Sequence, residues 1–229
     1  MEDFEILATS DGTPRELTPE GTYLGRCVEM VEIGIVPDSY EGKEKFSPKI
    51  RIGWELPEEL KVYKDGEAPK PTMVYEEYTL FMGDKANLRK TLTSWRGKAF
   101  TEDEAKSFNV AKLLGATCLI NIIHKPSTKD PSKVYEKIAS VSPILKSMTA
   151  PAQITPFKIL SFKNWSQETF DALPEFVRKK IETSEQYKKM FSATPPNTED
   201  WSPDATNVPS PNSNDAPLEE PPFWVNTPL

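Results

Sequence analysis

The chain is short of the residues that most enzymes use. It has one histidine, His124, and two cysteines, Cys27 and Cys118, with no CxxC pair, which argues against a zinc site of His/Cys spacing. Both cysteines fall in strand-like runs rather than in a spaced framework, so reduced thiols are expected. No GxxxxGK[ST] phosphate loop, GxSxG elbow or HExxH helix occurs, and the mechanisms those motifs carry have no foothold. Acid pairs such as Glu29 with Glu32, or Glu76 with Glu77, are what 35 acidic residues produce by chance. A non-enzymatic protein without metal or cofactor is therefore expected. No apolar run is long enough to span a membrane and no secretory leader is evident, so a cytoplasmic protein with no membrane partner is expected.

Positive charge is missing from one region altogether. The last 38 residues, Ser192 to Leu229, hold six acids, nine prolines and no Lys or Arg, and finish in EEPPFWVNTPL. Such a segment cannot bury enough apolar surface to offset its ordering entropy, so a disordered tail over 192–229 is predicted, one that solubilises the chain or recruits partners. Residues 1–191 keep 28 basic and 29 acidic residues. A nearly neutral body exerts no long-range pull on phosphate, so any nucleic-acid binding has to come from a local basic stripe.

What is present is mostly β. After a turn-rich extension over 1–20, the run Gly21 to Ile35 reads as a long strand kinked at Gly25 and Gly34. A charged loop, Pro37 to Phe46, precedes KIRIGWEL. There Ile50, Ile52, Trp54 and Leu56 alternate with Lys49, Arg51, Gly53 and Glu55, giving one core face and one basic face. A polar loop, Pro57 to Pro71, leads to a third strand over Met73–Met82. Helical signals follow. Asp84 stands as N-cap before Leu88, Leu92 and Trp95, with a stop at Gly97, and Thr101 to Glu104 spells a capping box. Strands resume at Ala116–His124 and Val134–Val141.

This order, three strands, a helical insert and two strands, predicts a mainly β fold with helical additions. The order matches a five-stranded OB-like barrel over 21–145, with the helix between strands three and four, and leaves other all-β and α+β architectures open. An extended and helical segment over 146–191, with Ser166 as N-cap and an apolar stripe of Phe170, Leu173, Phe176, Val177 and Ile181, is expected to pack on that core.

Single-strand binding needs cations along a groove and flat side chains for bases to stack on. Candidates are Lys49 and Arg51 on strand two, Tyr75, Tyr78 and Phe81 on strand three, and Tyr135 with Lys137 on strand five. The loops add Lys43, Lys45, Phe46, Lys125, Lys129 and Lys133. Trp54 and Trp95 read as core. Strand three is apolar on both faces, so the pattern leaves open whether Tyr78, or Tyr75 with Phe81, points inward.

The runs GTYLGRCVEMVE, KIRIGWELP, EEYTLFMGDKANLRKTLTSWRGKAFT, LLGATCLINIIHK, YEKIASVSPI and LPEFVRKKIETSEQYK lie in collinear order from Gly21 to Lys188. Together they resemble a family of bacteriophage single-stranded DNA-binding proteins with an OB fold. The resemblance implies sequence-independent binding of single-stranded DNA in phage replication, recombination or repair, inside the host cytoplasm. It also implies that the acidic tail recruits replication or recombination proteins. The tail departs from the acidic-Pro-Phe ending of bacterial single-strand binders, because WVNTPL follows Phe223. The alternative is a protein-interaction or assembly factor built on the same barrel.

Overall fold

The computed structural model describes residues 17–40, 42–63, 66–127 and 130–192. The acidic tail beyond Ser192, most of the N-terminal extension and Lys129 lie outside the described residues.

The central strand is β1 (Gly21–Tyr40), whose CVEMVEIGIV stretch is apolar on both faces. Met30 enters one core, and Val31 and Ile33 enter a second on the opposite face. A strand buried from both sides belongs inside a sheet. β1 accordingly pairs antiparallel with β2 (Lys43–Lys61) along one edge. Its other edge pairs with β4 (Thr117–Pro126) and, further on, parallel with the short β6 (Lys158–Leu160). β3 (Lys70–Thr79) adds to β2 and β5 (Val134–Ser142) to β4, giving the order β3-β2-β1-β4-β5.

β3 and β5 approach each other, yet no ladder joins them among the described residues. The sheet is thus mainly antiparallel, six-stranded and not closed; the five-stranded barrel expected from the sequence is replaced by an open sheet with an added strand.

The expected loop from Pro37 to Phe46 is instead a hairpin, with pairs running from Pro37 opposite Phe46 to Tyr40 opposite Lys43. Ladder hydrogen bonds belong to the backbone, so polar residues extend a strand that hydrophobic alternation alone does not reveal. The β2–β3 connection shortens for the same reason.

The first core fills the inner face. Ile50, Ile52, Trp54 and Leu56 of β2 meet Val74 and Tyr78 of β3, and Cys118, Ile120 and Ile122 of β4. Helix α1 (Asn87–Arg96), inserted between β3 and β4, adds Leu88, Leu92 and Trp95. The Trp95 indole N–H donates to the Thr117 carbonyl at 2.9 Å, tying the helix to β4. Asp84 does not cap α1. The N-cap is Ala86, and the Asp84 carboxylate, two residues too early, pairs with Arg89 at 2.8 Å. The capping box at Thr101 and Glu104 opens α2 (Glu102–Ser107) as its sequence requires.

The second core lies on the outer face and joins β1 to the C-terminal arm, residues 143–192. Leu160 of β6, Phe170 of α3 (Gln167–Asp171), Leu173, and Val177 and Ile181 of α4 (Glu175–Glu182) pack on Val31, Ile33 and Val36. Ser166 caps α3, accepting from the Thr169 N–H at 3.2 Å. Trp165 collects the rings of Phe162, Phe170, Tyr187 and Phe191, all within 5.7 Å between centroids. The last two rings belong to α5 (Glu185–Phe191).

Gly34 permits this docking. Its φ of +92° suits glycine, and a Cβ there would lie 2.7 Å from the Ser184 Cβ. One residue of the expected stripe breaks rank: Phe176 is 64% exposed while Val177 and Ile181 are fully buried. On α4 it sits about 100° round from Val177, which turns it off the docked face.

Candidate nucleic-acid interface

Strand β2 alternates as its sequence demands, with its four apolar side chains inward. The opposite face is not the exposed basic surface expected of Lys49 and Arg51. Arg51 is 4% exposed and Glu55 fully buried, because the arm folds over that face. Arg51 forms an ion pair with the equally buried Glu29 of β1, and Lys158 of β6 approaches the other Glu29 oxygen at 3.4 Å. The Glu55 carboxylate accepts from the Ile154 and Thr155 N–H groups at 3.1 and 2.6 Å. Glu32 accepts from the Phe162 N–H at 3.0 Å. Three acids of β1 and β2 are thus spent on holding the arm, and Arg51 on neutralising one of them.

Lys49 keeps a little solvent contact, with its ammonium 2.6 Å from Asp38 and donating to the Thr79 hydroxyl at 3.1 Å. The hydrogen bond from Lys49 is the main reason the Asp38 carboxyl titrates below its ordinary range.

The two faces of β3 are now distinct. Tyr78 belongs to the inner core, where burial raises its phenol pKa, and it is no platform for a base. Tyr75 lies on the outer face opposite Gly53. A Cβ at Gly53 would come within 2.7 Å of the Tyr75 ring, so glycine is what lets the ring lie across β2. The Arg51 guanidinium covers that ring at 3.6 Å from its centroid. Burial, then the nearby Glu29 charge, raises the Tyr75 pKa. Phe81 falls beyond the end of β3 and is 63% exposed, lining a shallow pocket with Met82, Ala105 and Phe108.

The remaining candidates gather on two hairpins. On the β1–β2 arm, Lys43, Lys45 and Phe46 are all exposed, Phe46 by 64%. On the β4–β5 arm, Lys125 stands directly across from Tyr135, and Lys137 lies two residues further along the same face. Lys125, Tyr135 and Lys137 are exposed. Lys133 lies near the turn, 3.5 Å from Asp130. The charge of Lys137 also reaches Glu76 across the gap between β5 and β3, where it opposes the rise that burial imposes on that carboxyl.

Lys158 and Lys180 are surface groups that pattern reading did not single out, and Phe176, expected in the buried stripe, is a third surface group. No local signal marked them, because a β2 face bearing Lys49, Arg51 and Glu55 reads the same whether it meets water or is covered by the arm. No group of three or more His, Cys, Asp or Glu side chains among the described residues is placed to hold a metal ion. No helix among them is long and apolar enough to cross a membrane. Burial raises both thiols, Cys27 and Cys118, which leaves them protonated and unreactive. Comparison with family models, with curated proteins and with solved structures finds no match for this chain.

Proposed function

We propose that the protein binds single-stranded DNA without regard to sequence, using the β1–β2 and β4–β5 hairpins. The observation that carries this reading is where the exposed lysines and aromatics fall within the strand order. The order β3-β2-β1-β4-β5, with helices between β3 and β4, is that of an OB barrel opened between its third and fifth strands. In that barrel the first and last hairpin loops grip oligonucleotides. Those hairpins carry Lys43, Lys45 and Phe46 on one side and Lys125, Lys133, Tyr135 and Lys137 on the other. Such a set neutralises phosphate and stacks bases without reading them. The resemblance to phage single-strand binders points the same way, and with it go a role in phage replication, recombination or repair and a tail that recruits partner proteins.

The test is a titration of single- and double-stranded oligonucleotides across a salt series, on the full chain and on a chain ending at Phe191. Single-strand affinity falls steeply with salt, and removing the acidic tail tightens it or leaves it unchanged. Absence of oligo-dT binding at low salt by the shortened chain would sink the reading.

An interaction or assembly factor is the second reading. It draws on Leu145, Met148, Ile154, Phe157 and Ile159, apolar side chains exposed along one stretch of the arm. Replacing Lys43, Lys45 and Tyr135 together separates the two, because DNA binding is lost under the first reading and partner binding is kept under the second.

A further inference from the structure

The outer face of β2 and β3 carries a layered stack that neither hairpin uses. Tyr75 lies across Gly53, and the Arg51 guanidinium lies over the Tyr75 ring. The Phe176 ring of α4 follows, with its centroid 5.9 Å from the same guanidinium. Arg51 is sealed by these neighbours and by Glu29, whereas Phe176 is 64% exposed. Helices ordinarily turn such a residue inward, and the stripe it was expected to join is complete without it, since Phe170, Leu173, Val177 and Ile181 fill the outer core. At the surface the ring stays within cation–π range of a fixed cation.

The charge around the ring is mostly paired, with a small positive excess. Lys180, one turn along α4 from Phe176, pairs with Glu77 of β3, and Lys158 of β6 stands by Glu29. Arg51, Lys158 and Lys180 against Glu29 and Glu77 leave an excess of one positive charge. Both lysine side chains keep about a third of their surface in water, 34% and 36%. A flat ring with a cation at i+4 on the same helical face offers a base its stacking surface and the adjoining phosphate its counter-charge.

We propose that Phe176 is a stacking platform for a base of single-stranded nucleic acid, held in place by the Tyr75–Arg51 stack and flanked by Lys180. The proposal rests on the single-strand reading above and adds to it a contact on the arm.

The test compares the full-length wild type with Phe176→Leu and Phe176→Trp on oligo-dT and on an abasic oligodeoxynucleotide of equal length, over a salt series. Leu keeps an apolar side chain but removes the π face, and an exposed position tolerates either change. Phe176→Leu binds oligo-dT about tenfold more weakly, Phe176→Trp binds it at least as well as wild type, and all three bind the abasic strand alike. The slope of affinity against salt stays unchanged, because a neutral ring releases no counterions. Equal binding of oligo-dT by Phe176→Leu and wild type overturns the proposal. So does an equal loss on the abasic strand, or a change confined to oligomeric state in light scattering, which would make the ring a protein contact. If wild type itself fails to bind oligo-dT, the single-strand reading falls and takes this platform with it.

Discussion

The guanidinium of Arg51 and the carboxylate of Glu29 form an ion pair whose side chains are only 5% and 4% exposed. Removing one member of a buried pair strands the other charge in a medium that solvates it poorly. Arg51→Ala is expected to cost about 3–5 kcal/mol in urea unfolding, toward the lower end because Lys158 still stands near Glu29. Replacing both members by apolar residues costs much less, since the one charge left without its partner, on Lys158, keeps contact with water. An Arg51→Ala variant as stable as wild type would contradict the burial of the pair. The same argument disqualifies that substitution as a probe of DNA binding, because it disturbs the fold before it touches a ligand.

Glu55 is the hinge between sheet and arm. Its carboxylate accepts two backbone N–H groups, from Ile154 and Thr155, and Glu55→Ala leaves both without a partner. The expected loss is about 1–3 kcal/mol, and it is local: amide hydrogen exchange at Ile154 and Thr155 speeds up well before exchange at the core amides of β4. Glu55→Gln keeps one acceptor oxygen and falls between the two. Exchange in Glu55→Ala that rises equally across the whole sheet would show that the acid supports the fold in general and not the arm in particular.

Much of the inner core was legible in the sequence because its signals are local. Alternation across Lys49–Leu56 marked the inward set of β2, the spacing of Leu88, Leu92 and Trp95 marked the buried face of α1, and Thr101 with Glu104 announced the start of α2. The outer face was not legible. Whether Arg51 meets water depends on an arm far along the chain, whose Thr155 N–H bonds Glu55 with a separation of 100 positions. Charge alternation in β2 looks the same whether that face is wet or covered. Tyr75 and Tyr78 were undecided for a related reason, since only the position of α1 and of the arm tells the two faces of β3 apart. The hairpin from Pro37 to Phe46 escaped because a ladder of backbone hydrogen bonds leaves no trace in side-chain hydrophobicity.

The helical insert has its own pH dependence. A hydrogen bond from Arg96, then one from the Thr101 N–H, hold the Glu104 carboxyl down to about 2, against an ordinary value of 4.5. A carboxylate whose folded pKa lies below its unfolded one contributes stability that is complete above the ordinary value and is lost as pH falls toward about 2. Thermal unfolding followed over that window is expected to show a smaller decline for Glu104→Gln than for wild type. Glutamine keeps the capping box but has no proton to take up. The difference shrinks in high salt because Glu104 is in contact with water. Parallel curves for the two proteins would mean that the Arg96 contact does not persist in solution.

Lys125 and Tyr135, directly opposed on β4 and β5, separate the two physical contributions to the proposed binding. A lysine acts through phosphate and counterion release, so Lys125→Gln lowers the magnitude of the slope of log affinity against log salt by about 0.7, the value for one contact on a single strand. Tyr135 acts through stacking, so Tyr135→Leu weakens oligo-dT binding with the slope unchanged and has no effect on an abasic strand. The double variant shows whether one nucleotide meets both side chains. If it does, the two losses are not additive, because the lysine's phosphate is positioned by the base that the ring holds. Additive losses would place the two contacts on different nucleotides, and a slope that changes with Tyr135→Leu would mean that the ring orders the lysine and does not itself hold a base.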